Sequence, residues 1–300
     1  MSALTATTGA VSSRPRRAGG VWSTLGPSGR LSGGFLLAVV AMAVLAPVIT
    51  STDPNTTTLL ESYQGFSAEH WLGTDSTGRD IAARLVYGAR TSLIGPAAIV
   101  LLALSISLLL GLFAAWARGW RALLVNRVVD VVFAVPGLLL AILTVAVFGP
   151  GLTSAVCALA VAYAPFLARV VISAAEAQRR QPYVEVLTVQ GISPTRIMVQ
   201  HVLRNIGPII VGQATITFAY ALLDLATLSF LGLGVQAPQS DWGVMVSDRD
   251  AVLQGHPQQV IIASVTIVVT VLALLVLGAR MGGETVARRG AGRRWTRRRS

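Results

Sequence analysis

The chain has 300 residues, of which 53% are hydrophobic and only 12% charged. An ordinary soluble domain carries about twice that share of charge, and this composition excludes one. The formal net charge of +11 comes wholly from arginine, since no lysine occurs. The arginines gather at both ends and between apolar runs, as they do at the cytoplasmic edges of a membrane protein, so the charge is a poor argument for nucleic acid.

Residues 1–30 hold Arg14, Arg16, Arg17 and Arg30 without an acid and read as a disordered, basic cytoplasmic N-terminus. Six stretches then meet the roughly 20 apolar residues that a helix needs to cross a hydrocarbon core. They are Leu31–Thr50, Thr91–Ala117, Val131–Phe148, Leu152–Ala174, Ile206–Leu231 and Val260–Leu277. The first, about 31–50, is read as a retained span: a long leader precedes it and no small-residue cleavage site follows. Segment 51–90 carries Asp53, Glu61, Glu69, Asp75 and Asp80 against three arginines and reads as extracytoplasmic. From Arg79 onward it predicts an amphipathic helix lying at the outer interface.

A core of five spans follows over 91–280. Arg118, Arg121 and Arg127 fill the connection between spans two and three, and Arg179, Arg180, Arg196 and Arg204 that between four and five. Positive loops stay in the cytoplasm, which places both termini and the 176–205 loop inside. Pro136 and Pro165 fall within spans, where each removes a backbone hydrogen bond and predicts a bend. Residues 281–300, rich in arginine, read as a disordered tail drawn to anionic lipid. The fold class expected is all-α: a polytopic membrane protein with six transmembrane helices and both termini cytoplasmic.

Chemistry-bearing groups are sparse. Cys157 is the lone cysteine, and His70, His201 and His256 have no ligand spacing, so no metal site is expected. A phosphate-binding loop needs GxxxxGK[ST], whose lysine this chain lacks. Neither a nucleophile with a neighbouring base nor a pair of catalytic carboxylates is apparent. Asp224 lies inside span five, and Gln213, Thr217, Tyr220 and Asp224 recur at spacings that share one helical face. Two roles fit them: lining a translocation path, or a buried polar contact with a partner subunit. Asp130 and Arg169 read as boundary residues that pair or snorkel.

The stretch YVEVLTVQGISPTRIMVQHVLRN, from Tyr183 to Asn205, reads as two short helices joined at Gly191 and Ile192. A DNA-reading helix-turn-helix is spelled similarly, but a loop tethered to the bilayer at both ends lacks the freedom to enter a groove. Glu185, Gly191, His201, Leu203 and Asn205 resemble the Glu-Ala-Ala loop of ATP-binding-cassette importer permeases. Three further blocks are similar to the second permease subunit of the dipeptide, oligopeptide and nickel importers. They are LGTDSTGRDIAARLVYGARTSL from Leu72, DVVFAVPGLLLAI from Asp130 with GPGL from Gly149, and LSFLGLGVQAPQSDWGVMV from Leu228. The loop departs from the pattern: Val186 and Leu187 stand where two alanines are usual, and Arg204 where proline is.

That resemblance implies the importer-type permease fold and transport rather than enzymatic activity. It implies a related permease, two ATPase subunits that bind ATP and Mg, and an external substrate-binding protein; membrane lipid surrounds the chain, and no nucleic acid is expected. Tyr183, Glu185, Gly191, Ile192, Ile197, Met198, His201 and Leu203 are the expected ATPase-coupling residues. Arg204 in place of proline predicts that the second loop helix runs further before it ends. Arg79, Asp80, Gly232, Gly234 and Trp242 are expected at an outer gate or binding-protein contact, with packing of the two outer segments on each other as the alternative. Short peptides are the cargo favoured, nickel or another small solute the alternative, and a stand-alone secondary transporter or channel the rival architecture.

Overall fold

A computed structural model describes residues 26–50, 52–117 and 119–296, with side chains as far as residue 282. The described residues form helices with no strand, apart from one bridge between Thr74 and Asp80. In chain order the helices are α1 (Gly26–Val44), α2 (Ala46–Ile49), α3 (Ile81–Trp116), α4 (Trp120–Phe133), α5 (Gly137–Phe148), α6 (Leu152–Arg179), α7 (Pro182–Val189), α8 (Pro194–Arg196), α9 (Leu203–Phe230), α10 (Trp242–Val246), α11 (Arg249–Leu253) and α12 (Gln258–Thr296).

Five of these stretches are long and apolar enough to cross a membrane: Gly26–Val44, Ile81–Trp116, Leu152–Arg179, Pro194–Phe230 and Gln258–Gly282. The expected third span is instead two helices, α4 and α5, that meet at 81°; counted as one span the pair makes six. Proline explains the break. Pro136 lacks an N–H and disfavours helical geometry at Val135, so α4 ends at Phe133 and α5 begins at Gly137. Pro165 does not end its helix, since α6 runs on to Arg179 around it.

Three other boundaries differ from expectation. The helix expected at the outer interface from Arg79 is not separate: α3 is one helix of 36 residues, about 54 Å at 1.5 Å per residue. Residues 26–30, expected in the disordered N-terminus, already form the first turns of α1, while the rest of that segment lies outside the described residues. The tail expected to be disordered from 281 continues as helix to Thr296; it contains no proline, and arginine and alanine are good helix formers.

Three apolar clusters hold the bundle. One gathers Val39, Ala89, Leu222, Trp242, Met245 and Ile267 around α1, α3, α9, α10 and α12. A second joins Ile99, Val145, Leu159, Leu225 and Leu228, seating α5 on α3, α6 and α9. The third, at the opposite end, unites Leu112, Val171, Val184, Ile197, Val202 and Ile206. Small residues set a close crossing of α9 and α12. A Cβ on Gly212 would lie 2.8 Å from Gly282 N, and one on Gly278 would lie 3.0 Å from Gly212 O, so α9 and α12 touch backbone to backbone.

Candidate functional site: a coupling loop and an acidic cleft

Residues 180–202 close one end of the bundle. Pro182 opens α7 in the first helical turn, where its missing N–H costs nothing. Gly191 follows with φ +78° and no atom near its absent Cβ, so backbone conformation, not space, requires glycine there. Pro194 then starts α8, and a π-helical stretch, Ile197–Val202, carries the chain into α9. The helix is unbroken from Pro194 to Phe230. The second loop helix runs on through Arg204, and Pro208, which lies inside it, does not end it.

The loop is pinned mainly by apolar packing. Val184 and Ile197 are buried in the third cluster, with Tyr183, Leu187, Ile192, Met198 and Leu203 partly buried against it. The Tyr183 hydroxyl donates to Gln178 Oε1 at 3.0 Å and accepts from Asn205 at 3.2 Å, tying α7 to α6 and α9. Ile197, expected to touch a partner, is 1% exposed and anchors the loop inward instead; an apolar loop residue serves either purpose, and burial decides. The outward face is formed by Glu185, Gly191, Val186, Val189 and Val199, with Val189 84% exposed. His201 is half-buried on the π-helical stretch.

A cleft of about 530 Å³ opens beside the α4–α5 break, lined by Phe133, Pro136, Tyr163, Phe166, Tyr220 and Asp224 among others. Tyr163 donates to Asp224 Oδ2 at 2.6 Å. Arg169 pairs with Asp130 at 2.8 Å and lies 4.3 Å over the Phe133 ring, the pairing expected of these boundary residues. Of the four residues on the Asp224 face, Tyr220 and Asp224 reach the cleft. Thr217 does not: it is fully buried, and its hydroxyl donates to the backbone oxygen of Gln213, whose side chain also lies off the cleft. Helical spacing identified a shared face, but neighbouring helices decide how much of that face stays open.

Residues 107–281 match the family described as the inner membrane component of binding-protein-dependent transport systems. The chain belongs to this family. The permease is 40% identical over 245 residues to the dipeptide transport system permease protein of Alkalihalophilus pseudofirmus, covering 81% of this chain and 80% of that one. It is 42% identical over 214 residues to a putative peptide transport system permease protein of Brucella suis, covering 71% and 72%. Among solved structures, a chain of the MetNI methionine ABC transporter in an inward-facing conformation superposes with a TM-score of 0.54 at 20% identity, covering 67% of this chain and 96% of that chain; that likeness establishes the fold. The protein is thus a multi-pass inner-membrane permease subunit of an ABC importer.

At the other end of the permease, the residues expected at an outer gate are mostly structural. Asp80 caps α3, accepting from Ala83 N at 2.7 Å, and its other oxygen sits 2.8 Å from His70 Nδ1. Arg79 pairs with Asp75 at 2.7 Å. Trp242, expected on the receiving surface, is fully buried: its ring sits against Gly88, and its Nε1 donates to Leu85 O at 3.0 Å. Gly234 approaches Ser229 closely, whereas Gly232 adopts φ +75° in an open turn. With Phe230, Gln236 and Arg249, Gly232 lines a shallow pocket of about 450 Å³.

Sequence reasoning missed the residue that organises this end. Arg84 on α3 is 1% exposed and lies 3.3 Å from the Asp75 carboxylate, which is itself buried. Burial pushes the Asp75 carboxyl up, but hydrogen bonds from Arg79 and Thr77 and the Arg79 charge outweigh it and hold the group below its ordinary range. Asp241 is pushed upward by burial, against hydrogen bonds from Ser92, Gly243 and Val244. The segment from Arg79 onward, IAARLVYGAR from Ile81 included, reads as an interfacial helix, and no local signal marks Arg84 for the interior.

Proposed function

We propose that this permease forms half of the translocation path of an importer for short peptides. The observation that carries the reading is the 40% identity, over four fifths of both chains, to a relative named for dipeptide transport. A related permease supplies the other half, two ATPase subunits bind ATP and Mg, and an external binding protein delivers the peptide. The chain itself contributes no nucleotide site, in keeping with its lack of lysine.

Coupling runs through residues 180–202. In this reading both chain termini and the loop face the cytoplasm, because arginine dominates those segments. The face formed by Glu185, Val186 and Val189 seats in a groove of the ATPase, while Ile197 and Val184 fasten the loop to the bundle. When two ATPases close on nucleotide, the loop moves as a body, and the helix that begins at Pro194 carries the movement into the membrane.

Cells with and without the chain, the latter restored in trans, are assayed for uptake of labelled di- and oligopeptides and of nickel. Loss of peptide uptake, recovered on restoration, is expected. Loss of nickel uptake alone transfers the assignment to metal import, and loss of neither removes the peptide reading. A Glu185→Arg variant inserts normally and loses ATP-driven uptake; wild-type uptake in that variant would sink the coupling assignment.

A further inference from the structure

Asp224 is an acid within a membrane-spanning helix, and the fold alone does not explain its placement. It stands on α9, six residues before the end at Phe230, in a segment apolar enough to cross a bilayer. An intramembrane carboxylate is costly unless it faces a cavity or a partner charge. Its described contact is one hydrogen bond, from Tyr163 to Oδ2, although a carboxylate offers about four acceptor positions. No arginine pairs with it among the described residues, and Arg169, at the margin of the same cleft, is held by Asp130. The remaining acceptor capacity faces a cleft of about 530 Å³, large enough for a small organic cation.

The walls of that cleft have the matching chemistry. Tyr163, Phe166 and Tyr220 line it, and the electron-rich faces of aromatic rings attract cations; Phe133 also lines it, with Arg169, neutralised by Asp130, already over its ring. A carboxylate ringed by aromatic side chains favours an ammonium group over an anion or a neutral amide. The bend between α4 and α5 supplies the opening, because residues 134–136, Val135 and Pro136 among the lining, leave the wall there without helix.

We infer that the Asp224 cleft receives the terminal ammonium of the cargo peptide during passage, with Tyr163 orienting the carboxylate. The inference rests on the peptide-import reading for the identity of the cargo, but the cation preference of the cleft stands apart from it. Every zwitterionic peptide carries this group whatever its side chains, so a station reading the ammonium accepts varied sequences.

The test uses the assembled transporter in membrane vesicles. Cys157, which is exposed, is replaced by serine, and a single cysteine is placed in the cleft wall by Ala162→Cys. Its modification rates by an ammonium-bearing and by a sulfonate-bearing methanethiosulfonate are compared, each normalised to the rate with a free thiol. The ammonium reagent is expected to be favoured by about tenfold or more, the scale on which a charged cleft concentrates counter-ions, and Asp224→Asn abolishes the preference. Uptake of dialanine, whose one cationic group is the terminal ammonium, falls about tenfold in Asp224→Asn by the same scale and recovers in part in Asp224→Glu.

Absence of a cation preference overturns the inference. So does a preference accompanied by undiminished dialanine uptake in Asp224→Asn, or a defect confined to lysine-containing peptides. If the wild-type transporter shows the preference and carries no dialanine at all, the peptide reading fails while the cation site stands.

Discussion

The two ends of the bundle are built on opposite principles. At the end that carries residues 52–80 and 232–257, many polar groups are buried and most are paired: Asp75 holds Arg79 and Arg84, Asp241 accepts from Ser92, and Ser76 and Gln259 both reach Asp248, while Tyr63 Oη, Arg84 Nε, Ser240 Oγ and Gln259 Oε1 are buried without a hydrogen-bond partner. At the end that carries the 180–202 loop, the buried contacts are mainly apolar and the polar side chains mostly point outward. A matched polar network tolerates little displacement, because each broken contact strands a desolvated group. Apolar contact is not directional, so a loop fastened mainly by it can shift with fewer groups stranded, the hydrogen bonds of Tyr183 to Gln178 and Asn205 being the polar ties described. The first end is a fixed cap; the second is suited to being moved by something seated on it.

The largest expected effect comes from breaking the cap. Asp75→Ala leaves the Arg84 guanidinium buried without its carboxylate, a change worth about 3–5 kcal/mol, and is expected to lower both the yield of inserted protein and its melting temperature in detergent. The same carboxylate gives the cap an acid limit. Its folded-state pKa lies below the ordinary value of 3.8, so its contribution is present above the unfolded-state pKa and is lost as pH falls through the folded one. Melting measured below about pH 4 should show a downward limb that is flattened in Asp75→Asn; an unchanged limb would assign acid sensitivity to other groups.

Next in size is the anchor of the moving end. Ile197→Ala removes a fully buried side chain and should cost about 2–4 kcal/mol, read as earlier protease cleavage within 180–202 while the cap stays resistant. If cap and loop loosen together, the two ends are one cooperative unit and the contrast fails. Gly191→Ala forces a side chain to φ +78° and is expected to cost about 1–2 kcal/mol. Val189→Ser, on the exposed face, should change stability by less than about 0.5 kcal/mol and yet reduce uptake, which a merely lipid-resting hairpin would not show.

The contrast was only partly legible in the sequence. Long apolar runs reveal spans because a bilayer demands continuous hydrophobicity, and five of the six correspond to helices long enough to cross, the first of them ending at Val44 with a short helix, Ala46–Ile49, after it. The sixth carried its warning in Pro136, but the size of the bend depends on how α5 packs against α6, which no local pattern encodes. The loop was legible as two helices about Gly191 because a turn there needs a positive φ. Its polarity was not: Ile197 and Val189 are both aliphatic, and only the third cluster makes one an anchor and leaves the other bare. Trp242 and Arg84 were misread for one reason. Aromatic and basic residues at the end of a span signal the interface, and the partners that draw these two inward, Leu85 and Asp75, are identified only by the fold.

The unbroken helix from Pro194 to Phe230 spans 37 residues, about 55 Å at 1.5 Å per residue. In the coupling reading proposed above it is a lever whose short handle is the π-helical turn of the loop and whose far tip lies beside the Gly232 turn. A tilt of about 10° at the handle sweeps the tip through roughly 9 Å by that length, with Asp224 carried most of the way. Pro208 lies within this helix without ending it, so in that reading the loop at one end and the cleft beside Asp224 keep the same clock.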